Sequence, residues 1–330
     1  MIHHPLTDMF ADYARHGPWT GGDSTASVQL PDGGTAWLFS DTMLGTVNDD
    51  HTRNPDTPMV HNSAVVKDHR GVTYTALGGP PDAPTALIPA PTPGDYCWIG
   101  DGTWTPRAGV QVIVNTYHTT GPGQFDFALT GTALATLTPD MLTTTDVQNL
   151  NLGAHIAWGS ALIDLGGWTY IYGSENIPHV TRHAHVARTP TGHLGDPWEY
   201  FNGRYWSEDP GDSARILSGV GTAFGVQQDG YRLVMVTFDC GHPFTTDLLA
   251  YEAEQPRGPW TVVARLGRVP LTKLEMVNGR WLIAYDARVH PQLAPPGTML
   301  VSYNVNSTDP DTLYSDARVY RPRFFTTPTP

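Results

Sequence analysis

The stretch Ala26-Ser27-Val28-Gln29-Leu30, Pro31-Asp32-Gly33-Gly34, Thr35-Ala36-Trp37-Leu38-Phe39-Ser40 reads as a strand, a tight turn and a returning strand. Polar turn residues with two glycines separate two runs of strand-forming residues, the signature of a β-hairpin. The unit recurs. Residues 160–164 turn through Leu165-Gly166-Gly167 into 168–173, and 222–227 turn through Gln228-Asp229-Gly230 into 231–238. Residues 274–277 turn through Asn278-Gly279 into 281–285, and a less regular copy runs from near Ala108 to Tyr117. Each hairpin is followed by a further strand pair, such as 62–67 with 72–77 and 248–252 with 260–264. Units of about four strands, repeated about five times at roughly 50–70 residues, predict an all-β protein, a five-bladed β-propeller. One domain over residues 1–330 is expected. Two β-sandwich domains are the alternative, but no linker-like composition break and no long helical pattern supports them.

Composition agrees. The 330 residues include 34 glycines and 29 prolines, with only 15% charged residues. Short strands joined by turns need that mixture, whereas helices need more Glu, Lys and Arg. The formal net charge of −13 argues against a partner held by its phosphates. No run approaches the about 18 apolar residues of a membrane span. No basic-then-apolar leader opens the chain at Met1. The two cysteines, Cys97 and Cys240, make no zinc motif; one bridge or two buried thiols are both open.

A hairpin is closed by its turn at one end and open at the other. Counting outward from the turn between Asp32 and Gly33, Asp23 and Asp41 arrive at the open end together. The same count brings Trp158 and Ser160 toward Ser174, Glu175 and Asn176, and Gly219 and Gly221 toward Asp239. It brings Lys273 and Glu275 toward Asp286, and Arg107 toward Tyr117 and His118. His61 and Asn62 start the next strand at that end. One face thus gathers the polar side chains. Two carboxylates there suit glycoside cleavage, at ~5–5.5 Å for retention or ~6.5–9.5 Å for inversion. Proximity raises one pKa and leaves the other group ionised, as acid/base work requires. Trp19, Trp98, Trp104, Tyr117 and Trp158 are candidate sugar-stacking aromatics on that rim. A Gly-Asp-Ser-Thr run before a strand is also an ordinary turn whose Asp bonds its own backbone; the pairing of Asp23 with Asp41 favours the catalytic reading. The expected substrate-binding residues are His61, Asn62, Arg107, Trp158, Ser160, Glu175 and Asn176. His179, His183 and His185 form a loose group, and no third ligand joins His183 and His185, so no metal is expected. Neither a phosphate loop nor a Gly-x-Ser-x-Gly elbow occurs.

The run Gly21-Gly22-Asp23-Ser24-Thr25, Leu30-Pro31-Asp32-Gly33, Trp37-Leu38-Phe39-Ser40-Asp41-Thr42, Leu44-Gly45 and His61-Asn62-Ser63 resembles the endo-D-arabinanases of glycoside hydrolase family 183, formerly domain of unknown function 4185. The match covers roughly the first 65 residues of the chain and is architectural beyond them. The resemblance implies internal, retaining cleavage of α-D-arabinofuranosyl linkages in mycobacterial arabinogalactan and lipoarabinomannan, without a cofactor. Asp23 would be the nucleophile and Asp41 the acid/base. It also implies a polysaccharide partner, no nucleic acid or membrane, a monomer, and an extracellular or virion-associated location. An L-arabinan or other furanoside hydrolase, and a carbohydrate-binding propeller without catalysis, are the competing expectations. The long loops 45–60 and 78–104 are expected to shape the cleft.

Overall fold

The structure, a computed structural model, describes residues 1–177, 181–241, 245–270 and 282–330. The chain is all-β, built from antiparallel sheets that follow one another in sequence. The first holds Ala26–Gln29, Thr35–Phe39, Ser63–Lys67 and Thr73–Ala76. The second holds Tyr96–Thr105, Gly109–Thr119, Phe127–Leu137 and Thr144–Asn149. The third begins with Ile156–Leu165, Trp168–Ile177 and Thr181–Pro190 and is extended by short strands. The fourth holds Gly225–Asp229, Arg232–Phe238, Asp247–Ala253 and Thr261–Arg268. The fifth runs Leu282–Val289, Thr298–Ser307, Arg323–Pro328, and its outer strand is Ile2–His3 from the chain start. The first strand of each sheet packs on the first strand of the next, from the first sheet through to the fifth. The fifth meets the first through Thr25 Oγ1, which donates to Asn304 Oδ1 at 2.7 Å, and through Ser27 Oγ, 2.7 Å from His290 Nδ1.

Side-chain alternation explains the stacking. Thr35–Phe39 is buried at every position because its two faces enter different cores. Ala36 and Leu38 join the first and second sheets, with Val110, Val112 and Val114. Trp37 and Phe39 pack with Phe10 of the helix Leu6–His16, Trp19 and Phe324. Such two-sided strands lose polar alternation, which is why the aromatic run is continuous.

Several expectations change here. Residues 96–104, expected within a cleft-shaping loop, are instead part of Tyr96–Thr105, the innermost strand of the second sheet. Its glycines hide the strand pattern, and crowding requires at least one of them: a Cβ on Gly100 would come within 2.9 Å of the Ile113 and Trp158 carbonyls. The Thr-Pro tail after Phe325 stays in a strand to Pro328, which pairs with Thr298. Cys97 and Cys240 are both free thiols. The expected strand 274–277, with Lys273 and Glu275, and His179 lie outside the described residues.

Candidate active site

A small sheet, Trp19–Gly22 with Thr42–Leu44 and Met59–Val60, continues the first hairpin beyond its open end. Asp23 and Asp41 sit at the break between the two sheets. Their backbones remain paired there: Asp23 N–H donates to Asp41 O at 3.3 Å, and Ser40 N–H to Asp23 O at 2.9 Å. The break costs backbone strain, since Ser24 and Thr25 take φ of 72° and 46°. Buried bonds hold them: Ser24 Oγ donates to Ile99 O at 2.9 Å, and Thr25 is tied to Asn304. Gly21 is required by close approach, because a Cβ there would sit 2.4 Å from Tyr320 O. The Gly-Gly-Asp-Ser-Thr run is thus the local device that turns Asp23 out of the strand.

The two carboxyls live in different surroundings. Asp23 Oδ2 accepts the Tyr285 phenol at 2.7 Å. Burial pushes the Asp23 pKa well above the ordinary carboxyl range, the charges of Asp41 and Asp286 add to the rise, and hydrogen bonds from Tyr285 and Tyr320 offset part of it. Burial also keeps both phenols protonated, so they remain donors. Asp41 is more open, with 20% of its side chain exposed. Its Oδ1 accepts two bonds, from Trp98 Nε1 at 2.8 Å and from His61 Nδ1 at 2.9 Å in the tautomer protonated there. The His61 ring stacks on Tyr96 with centroids 4.1 Å apart. Trp98 packs on Tyr117 at 4.5 Å and on Phe127 at 4.7 Å, which makes an aromatic wall beside Asp41.

Beneath the pair, Arg288 is buried among the first strands of the sheets. It donates to Ser160 O and to Ser24 Oγ, each at 3.1 Å. Its charge tempers two buried carboxyls. Burial raises Asp101 to about 6 and also raises Asp286, and Arg288 pulls both back. Asp286 has a φ of 52° and accepts Thr222 Oγ1 at 2.6 Å.

The structure sorts the expected substrate-binding residues. His61 stands at the site beside Asp41. Ser160 is buried near the centre and contributes its carbonyl to Arg288. Asn62 is fully buried, and its amide is spent on Ile88 N, Ile88 O and Cys97 O at 2.7–3.0 Å, so it cannot reach a ligand. Trp158 is 1% exposed, packed with Trp198 and Tyr200, because a bulge at Gly159 seats its ring between sheets. Arg107 lies in the turn between Tyr96–Thr105 and Gly109–Thr119, at the opposite end, bonded to His193. The strand missed at 96–105 moved that hairpin's closed end onto Arg107. Glu175 is at the site end of its strand but is held by Arg215 at 2.6 Å and by His185 at 3.3 Å. The Arg215 bond is the main reason its pKa falls to about 2. Asn176 is exposed next to it. Of the expected stacking aromatics, Trp98 and Tyr117 line the site, whereas Trp19 is core and Trp104 packs under the first two sheets. Tyr285, Tyr320 and Arg288 carry no sequence signal for their roles. A groove of about 440 Å³ bounded by Leu30, Asp32, His69 and Met141 lies at the turn end, away from the carboxyls.

The fold defines a class: an all-β protein sharing its sheet arrangement with glycoside hydrolase structures. A Bacteroides ovatus protein, whose description as a hydrolase is itself an inference, superposes with a TM-score of 0.78 at 23% identity, over 97% of this chain and 88% of that one. A thermostable family-43 glycoside hydrolase gives 0.52 at 13% identity, over 95% and 91%. An α-L-arabinofuranosidase from Podospora anserina in complex with cellotriose gives 0.51 at 10%, over 95% and 92%. The chain belongs to the family described as a domain of unknown function, DUF5005, whose profile matches residues 8–327. A search of curated proteins finds no match.

Proposed function

We propose that this protein is a glycoside hydrolase whose five main sheets are the blades of one five-bladed β-propeller domain, with Asp23 and Asp41 as its catalytic carboxylates. The observation that carries the reading is the pair itself: two carboxyls joined through their backbones, one held toward the protonated form by burial and by its partner's charge. The hydrolase neighbours support the reaction class. The resemblance of residues 21–63 to endo-D-arabinanases supports internal cleavage of α-D-arabinofuranosyl linkages in arabinogalactan and lipoarabinomannan, by a monomer acting extracellularly or on a virion.

The electrostatics favour the reverse of the order expected from the resemblance. Asp23, whose pKa is raised, is the acid, and Asp41 is the nucleophile. Asp41 attacks the anomeric carbon while Asp23 gives its proton to the leaving oxygen, and a glycosyl ester on Asp41 forms. Asp23, now ionised, takes a proton from water; the water oxygen attacks the anomeric carbon and frees Asp41 with net retention. Trp98 and His61 orient Asp41. A hydrolase of L-arabinan is a second reading, favoured by the arabinofuranosidase neighbour.

The test is product analysis of the protein with mycobacterial arabinogalactan, beside Asp23→Asn and Asp41→Asn. Oligoarabinosides from the wild type and almost none from either variant are expected. Products from plant L-arabinan alone would select the second reading. Sugar binding without turnover in all three proteins, with intact circular dichroism, would mean a binding module.

A further inference from the structure

The connection 120–126 joins Gly109–Thr119 to Phe127–Leu137 at the site end of the second sheet. It is braced within itself. Asp126 N–H donates to Gly123 O at 3.0 Å, Gly123 N–H to Asp126 Oδ2 at 2.7 Å, and Thr120 N–H to Asp126 O at 2.8 Å. Its far side is tied to a different sheet: Gln124 Nε2 donates to Ser307 O at 3.1 Å, at the end of the fifth sheet's Thr298–Ser307. The second and fifth sheets both flank the first, which carries Asp23 and Asp41. A connection from one to the other therefore passes over the site end of the first sheet.

Its two footings lead to the two carboxyls. On one side Phe127 packs on Trp98, whose indole N–H bonds Asp41. On the other, Ser307 follows Asn306, a hydrogen-bond neighbour of Tyr285, whose phenol bonds Asp23. Between the footings Phe125 is 61% exposed, an aromatic face free of the core.

We propose that the strap 120–126 roofs the site and sets its specificity, admitting an unbranched run of furanosyl residues and excluding branch points. The proposal rests on the glycoside hydrolase reading above. A strap bridging two sheets restricts the width available to a substrate there, so a second glycosyl substituent would meet it where a linear chain would pass, and Phe125 offers an exposed aromatic ring on the strap for contact with the sugar.

Thr119 pairs directly with Phe127, so residues 120–126 can be exchanged for a two-residue Asn-Gly hairpin turn. Wild type, this strap-free variant and Gln124→Ala are compared on linear and branched arabino-oligosaccharides of one linkage, by the ratio of kcat/KM values. Wild type is expected to favour the linear substrate. The strap-free variant should lower that ratio on the order of tenfold, equivalent to about 1.4 kcal/mol. Gln124→Ala should shift it in the same direction by less, and it keeps the test decisive if the larger exchange unfolds the protein. An unchanged ratio in the variants, or a wild type indifferent to branching, overturns the strap proposal and leaves the hydrolase reading standing. Cleavage of neither substrate by wild type overturns the arabinan reading, and the strap's role with it.

Discussion

Replacing Tyr285 by Phe removes one oxygen and leaves the ring. The lost contact is the 2.7 Å bond to Asp23 Oδ2, which favours the carboxylate over the carboxylic acid. Hydrogen bonds to charged groups are worth about 1.5–3 kcal/mol. At about 1.4 kcal/mol per pKa unit, Asp23, already raised from 3.8, should rise by a further ~1–2 units. The assay is the pH dependence of kcat/KM. With Asp23 as the acid, activity needs its proton, so the alkaline limb should move upward by ~1–2 pH units. Movement of the acid limb instead would make Asp23 the nucleophile and restore the order implied by the resemblance. No movement of either limb, or a downward shift, would refute the claim that Tyr285 tunes this carboxyl. Stability has a defined sign too. The native state keeps a proton that the unfolded chain releases above about 3.8, so Asp23 contributes most below that pH and its contribution fades as pH rises toward the folded value.

Asn62→Ala leaves Ile88 N–H, Ile88 O and Cys97 O without their partner in a buried place. At about 1–3 kcal/mol per orphaned group, with neighbouring losses less than additive, a loss of at least about 3 kcal/mol in denaturant unfolding is expected; normal stability with a raised KM would return Asn62 to the substrate. Glu175→Gln removes a carboxylate whose pKa is depressed from 4.5 to about 2, chiefly by Arg215. That stabilisation is complete above pH 4.5 and disappears as pH falls toward 2, so the Tm gap between wild type and variant should close across this window. A gap independent of pH would show that Glu175 acts through packing.

The legible parts of this protein are local. Period-two alternation and turn residues exposed the hairpin 26–39, and counting from its turn brought Asp23 and Asp41 to the same open end; the structure pairs their backbones there. The same method failed at Arg107, where the partner strand was hidden by Gly100 and Gly102, and the count started from the wrong end. It also misread Asn62 and Trp158: a polar or aromatic residue at a strand end looks alike in sequence whether it faces the cleft or the neighbouring sheet.

From the sequence alone came the strand-and-turn rhythm, the acidic charge and a carboxyl pair in one hairpin, because each depends on residues close in the chain. The tertiary structure decided which carboxyl is pushed toward the acid form by burial, what bonds the other and what ties residues 120–126 to the fifth sheet. Tyr285 and Asp23 are 262 positions apart, and Gln124 and Ser307 are 183 apart. A pKa is set by burial and by neighbours in space, and no spacing along the chain encodes either until the sheets have packed.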